Sequence, residues 1–160
     1  MADETLLLTA KEIRGKTLRL LEGVTDEQSL WTPPGLQNHI LWHAGHTLTV
    51  VEHLTFSPSP LPTQPTGYPQ DWFALFNWQS KPTAETKYPS LSDVVAQLRV
   101  QLERVLAHIN TLDGAALSRN IGSDEKPKNL RYTIFHGFHD EAGHQGEIHL
   151  LKKLIAKAER

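Results

Sequence analysis

The sequence predicts an all-α fold: a four-helix bundle spanning residues 1–160 as a single domain, with a long proline- and aromatic-rich crossover between the second and third helices. Three observations predict it. Apolar residues recur at helical spacing in four separate stretches. Seven of the ten prolines fall between residues 55 and 89, which divides those stretches two and two. No strand-like alternation and no internal repeat competes with this pattern.

The first helix covers about Glu4 to Glu22. Leu7, Ile13, Leu18 and Leu21 recur at roughly helical spacing, and Gly23 supplies the stop. "WTPPGLQN" is a loop, because Pro33, Pro34 and Gly35 forbid helix, and Asn38 is then placed to cap a second helix running to about Leu54. Residues 55–89 hold too many prolines for a long helix and form a longer connection than a compact domain ordinarily leaves structureless. Within it, "PQDWFALFNW" gathers Trp72, Phe73, Phe76 and Trp78 into a short helical turn that is expected to bury itself as a lid. The third helix starts at "SLSD", where Ser90 and Asp93 have capping-box spacing, and Val94, Leu98, Leu102, Val105 and Ile109 share its inner face. A polar loop from 112 to 129 precedes a fourth helix from about Arg131 to Lys157.

Composition narrows the function. At 160 residues the chain buries a core without disulfides or a structural ion, so a site here is expected to be functional. Sixteen Lys and Arg against eighteen Asp and Glu give a formal charge of −2, with no basic run suited to a phosphate backbone, so nucleic acid is not an expected partner. The absence of cysteine excludes a thiolate metal cluster and a cysteine nucleophile, leaving nitrogen and oxygen to hold any transition metal. "MADETLLLTAKEIRGKTLRLL" breaks its apolar residues with Lys11, Arg14 and Lys16, so neither a signal peptide nor a spanning helix is expected, and a cytoplasmic protein without membrane contact is the expectation.

The chemistry lies in the histidines. At about 100° per residue, Thr133, His136, Asp140, His144, Glu147, Ile148, Leu151, Leu154 and Ile155 fall in one arc of the fourth helix. The apolar half of that arc marks the core side, which turns His136, Asp140 and His144 toward the interior. Such groups need partners or a cation. Asp140 and His144, at i and i+4, can reach one ion, and the second helix is expected to complete a set of three ligands with one open position. His39, His43, His46 and His53 all lie within about 40° of one line on that helix, and rotation alone leans toward His43. His53, His108, His139 and His149 are read as ordinary surface or hydrogen-bonded residues.

"LWHAGHTLTVVEHL" and "HDEAGHQGEIHLLKKL" resemble the DinB/YfiT-like superfamily of metal-dependent helical-bundle proteins, which also includes thiol-dependent isomerases and transferases. The resemblance covers essentially the whole chain. It selects His46, behind Gly45 and Trp42, as the ligand from the second helix, and pairs it with Asp140 and His144. The first ligand of the last helix is commonly histidine in that family, so Asp140 is a departure, and branches with a carboxylate there and a histidine one turn upstream are similar to His136, Asp140 and His144. Two histidines and a carboxylate suit zinc or nickel, and ferrous iron nearly as well. His136 and Glu147 share the same face and are candidates to orient a ligand or move a proton in catalysis. The resemblance implies thiol transfer or isomerisation of a small molecule, with hydrolysis as the alternative, a low-molecular-weight thiol as co-substrate, and a homodimer. A non-catalytic bundle that binds metal or a small ligand is the competing reading. A di-iron site fails on counting, because Glu141 and His144 form one Glu-x-x-His motif where two are required.

Overall fold

The structure is a computed structural model that describes residues 3–61 and 66–160; the prolines at 62 and 65 lie outside the described residues. Seven helices and no strand occur among the described residues. Each long helix begins where a side chain can take over an orphaned backbone N–H. Asp3 caps α1 (Glu4–Leu21), Ser90 caps α5 (Leu91–Thr111) and Asn129 caps α7 (Leu130–Ala158). The start of α3 (Ile40–Phe56) corrects the expected Asn38 cap. His39 does the work instead, its Nδ1 accepting the Trp42 N–H at 3.0 Å. Two short helices lay below the reach of periodicity: α2 (Asp26–Leu30), closed by a Thr25–Gln28 capping box, and α6 (Gly114–Ser118), capped by Asp113 inside the expected polar loop.

Side-chain contacts give the helix directions. Arg14 meets Glu141, Thr17 meets Gln145 and Leu20 meets Lys152, so α1 and α7 run parallel. Leu48 meets Gln101, Glu52 meets Arg104 and Phe56 meets His108, so α3 and α5 run parallel too. Between α3 and α7 the order reverses, with His43 against Glu147 and His46 against Asp140. Parallel neighbours need a connection that travels back along the helix, and the described residues between α3 and α5, 57–61 and 66–90, belong to that connection.

The return segment carries α4 (Asp71–Phe76). Burial of all four aromatics was expected, but only Trp72 and Phe76 are buried, while Phe73 and Trp78 are exposed. A helix this short offers one inward line, and the i, i+4 pair takes it. Phe76 lies against Gly45, where a Cβ would come within 2.3 Å of the ring.

Two apolar clusters fill the core, one around Trp42, Leu48, Phe76, Leu98 and Ile148, the other around Val51, Val105, Ile109, Ile134 and Phe138. Arg14 and Thr17 on α1, Gln101 on α5, and Glu141 and Gln145 on α7 are buried polar residues that fall between them. Arg14, fully buried, binds both carboxylate oxygens of Glu141 at 2.8 and 2.9 Å, the Leu98 carbonyl at 2.8 Å and Gln101 at 3.0 Å. Thr17 donates to Glu141, and Gln101 passes the chain on to Glu52, which holds Arg104.

This polar layer corrects the expected face of α7. Its buried line is Ile134, Gly137, Phe138, Glu141, Gln145, Ile148 and Leu151. Asp140 and His144 sit at the edge of that line, and His136 and Glu147 are exposed. The expected arc leaves Glu141 out, whereas Glu141 is fully buried, held inward by the buried Arg14 guanidinium.

Candidate metal centre

The site forms where α3 crosses α7. Trp42, His43 and His46 occupy one face of α3, all three buried, and Asp140, His144 and Glu147 climb the facing edge of α7. Gly137, two turns below His144, faces Val51 across the crossing, where an added Cβ would make ordinary contact, 3.4 Å from the Val51 Cα.

The tautomer of each ligand candidate is fixed by its other ring nitrogen. His46 Nδ1 lies 2.7 Å from the Phe76 carbonyl, which only accepts, so Nδ1 carries the hydrogen and Nε2 is left with its lone pair. Burial pushes this imidazole below its ordinary pKa, with the Phe76 carbonyl acting in the other direction, so the ring is neutral at neutral pH. The Trp42 indole lies flat on it, ring centroids 4.6 Å apart, and is tied to the return segment through an Nε1–H bond of 2.9 Å to Ser80. His144 Nδ1 lies 2.5 Å from Glu147 Oε2. Hydrogen bonds from His144 and then from His43 hold the Glu147 carboxyl well below the usual range. The carboxylate is therefore an acceptor, His144 Nδ1 is the donor, and its Nε2 also presents a lone pair.

Both lone pairs face Asp140. Its Oδ2 lies 3.9 Å from His46 Nε2 and 3.6 Å from His144 Nε2, outside hydrogen-bond reach, and this buried oxygen has no hydrogen-bond partner among the described residues. Three acceptors thus converge with no hydrogen between them. An isolated buried carboxylate oxygen is costly, and a cation answers that cost while the backing bonds of Phe76 and Glu147 orient the two rings. His46, Asp140 and His144 place one atom each within 4.8 Å of one another.

A second group shares His144. Its Nδ1, His43 Nδ1 and Glu147 Oε2 form a triangle, with 2.9 Å between the nitrogens and 3.1 Å from His43 to the carboxylate. The structure therefore brings His43 to the same place as His46, in keeping with rotation, which could not separate them. His136 stands apart from the cluster, exposed, its ring stacked on Tyr132 and His139. Glu147 is at the cluster, half-exposed. His53 lies at the surface against Trp78, and His108 is buried beside Phe56 with an unpartnered Nε2. Sequence reading missed the backing role of the Phe76 carbonyl, since no residue type signals a main-chain acceptor.

A bundle-like helical fold with two histidines and a carboxylate at a helix crossing defines the class of helical proteins with a candidate divalent-metal site. The chain belongs to the DinB superfamily, whose sequence profile matches residues 9–148. Its fold is similar to that in the crystal structure of a conserved protein from Enterococcus faecalis, with a TM-score of 0.75 at 14% identity, covering 98% of this chain and 99% of that one. No curated protein matches the chain.

Proposed function

We propose that the chain is a metal-dependent enzyme acting on a small molecule, with a divalent ion held in the core of a four-helix bundle by His46 Nε2, Asp140 Oδ2 and His144 Nε2. The observation that carries this reading is the buried, partnerless Asp140 Oδ2 facing two imidazole nitrogens whose hydrogens are committed elsewhere. Zinc or nickel suits the donor set best, and ferrous iron is accommodated by the same atoms. Bound there, the ion supplies Lewis acidity that lowers the pKa of a water or a substrate thiol.

The rest of the chemistry belongs to the protein. Trp42 walls off one side of His46, and Asp140, about one-third exposed, leaves the approach from solvent on the α7 side. Glu147, half-exposed, fixes the His144 ring, and the hydrogen bonds that hold its carboxyl well below the usual range suit it to orienting that ligand rather than to taking up a proton. Asp71–Phe76 and the residues after it form the cover over the site, anchored through the Phe76 carbonyl and Ser80. Thiol transfer or isomerisation, with a low-molecular-weight thiol as co-substrate, is the reaction class we assign, with hydrolysis as the alternative.

Elemental analysis of protein purified without added metal or tag histidines tests the site. Bound zinc, nickel or iron is expected in wild type. That metal is expected to be lost in His46→Ala, in Asp140→Asn and in His144→Ala, with helical circular dichroism unchanged. Metal retained in full by His46→Ala and Asp140→Asn overturns the assignment. An ion that no added thiol or water analogue can perturb, in a closed shell, selects the non-catalytic reading over the enzyme.

A further inference from the structure

The triangle of His43, His144 and Glu147 is left over once His46, Asp140 and His144 hold one ion. Hydrogen bonding satisfies it poorly. If His144 Nδ1 carries a hydrogen for Glu147 Oε2, then either His43 Nδ1 brings a second N–H to the same oxygen, with the two nitrogens 2.9 Å apart, or its bare lone pair faces the carboxylate at 3.1 Å. Three donor atoms separated by 2.5, 2.9 and 3.1 Å have another natural reading. Bonds of about 2.1 Å set donors about 3 Å apart at right angles and about 3.4 Å apart in a tetrahedron. The 2.9 and 3.1 Å separations therefore match one face of a tetragonal shell. The half-exposed Glu147 carboxylate must swing out by a few tenths of an ångström from its 2.5 Å contact to complete it.

We infer that the chain binds a second divalent cation on His43 Nδ1, His144 Nδ1 and Glu147 Oε2, so that the His144 ring bridges two ions. The inference rests on the first ion sitting at His144 Nε2. The donor set, two nitrogens and one carboxylate oxygen, takes zinc, copper(II) or nickel. His43 is buried and approaches from α3, whereas Glu147 is half-exposed and opens the position to solvent, so the ion has a preformed wall and a route in. Proton balance follows from the ring atoms. His43 moves its hydrogen from Nδ1 to Nε2 and stays neutral. His144 gives up its Nδ1 hydrogen to solvent and becomes an imidazolate, so uptake of the second ion releases one proton. Glu147 gives none, because it is already ionised.

The experiment titrates the metal-stripped chain with zinc and follows bound metal by elemental analysis after gel filtration, and then repeats the titration with copper(II) under electron paramagnetic resonance. Wild type is expected to take two equivalents, and Glu147→Gln and His43→Phe one each. The two-copper form is expected to lose most of its resonance intensity through coupling across the shared ring, while the one-copper variants keep the spectrum of an isolated ion. His43→Phe conserves volume at the buried position, and Glu147→Gln, on an exposed side chain, remains decisive if that variant fails to fold. Wild type saturating at one equivalent, unchanged in both variants, overturns the second position and leaves the first intact. Two uncoupled copper ions overturn the bridge. No uptake by wild type removes the first site and the second with it.

Discussion

His39 closes the first turn of α3 with a ring nitrogen, and that bond fixes its protonation. Nδ1 must accept from the Trp42 N–H, so only Nε2 carries a hydrogen, and burial followed by the nearby His43 pushes the pKa down to about 4 from an ordinary 6.5. In the unfolded chain the same ring binds a proton near 6.5. As pH falls from there to about 4, the unfolded state gains a proton that the folded state refuses, and stability declines across that window by up to about 3 kcal/mol before levelling off. His39→Asn keeps a capping oxygen and removes the titration, so the difference in urea unfolding free energy between wild type and variant is expected to shrink progressively below pH 6.5; a difference independent of pH would refute the cap assignment. Asn38 reads as the cap in sequence because asparagine is the commoner cap residue. Histidine in that role needs a backbone geometry that residue type does not announce.

At the scale of elements, α4 and α3 are locked by a glycine and a carbonyl. The Phe76 ring lies on Gly45, and the Phe76 carbonyl collects both the His46 Nδ1–H and the Thr49 hydroxyl. Gly45→Ala forces a Cβ into the ring and drives α4 outward. An overpacking cost of ~1–3 kcal/mol is expected in thermal unfolding, together with weaker metal retention, because His46 loses the acceptor that orients it. A variant that loses stability yet holds metal as tightly as wild type would show that the carbonyl does not position the ligand. The four long helices were legible because each presents several turns of apolar spacing, and Ser90 starts α5 as its capping-box pattern indicates. The inner face of α7 was not, because its centre is Glu141, and a buried acid is invisible until its partner Arg14, 127 residues away, is known. Of the candidate site, Asp140 and His144 at ligand spacing were readable from α7 alone. The choice between His43 and His46 came from family resemblance, and the structure puts both rings against His144.

Across the whole molecule, the Arg14–Glu141 pair and its partners form a polar layer that divides the core and sets the height at which α1, α5 and α7 meet. Removing one partner strands the other: Arg14→Met is expected to cost ~3–5 kcal/mol in chemical denaturation. The double variant Arg14→Met, Glu141→Leu is expected to recover a large part of that loss, since an apolar replacement leaves no buried charge. Recovery of stability with weakened metal retention would assign the pair to helix register, as Glu141 adjoins Asp140; equal losses in single and double variants would contradict a coupled pair. No helix among the described residues is long and apolar enough to cross a membrane. The wide spacing of the ligands along the chain bears on how the protein is made. His46 leaves the ribosome long before Asp140 and His144, and α1 finds its parallel neighbour only when α7 has been synthesised. A nascent chain that stops short of α7 therefore offers α3's histidines without their carboxylate, and the candidate site is assembled only once translation has passed residue 144.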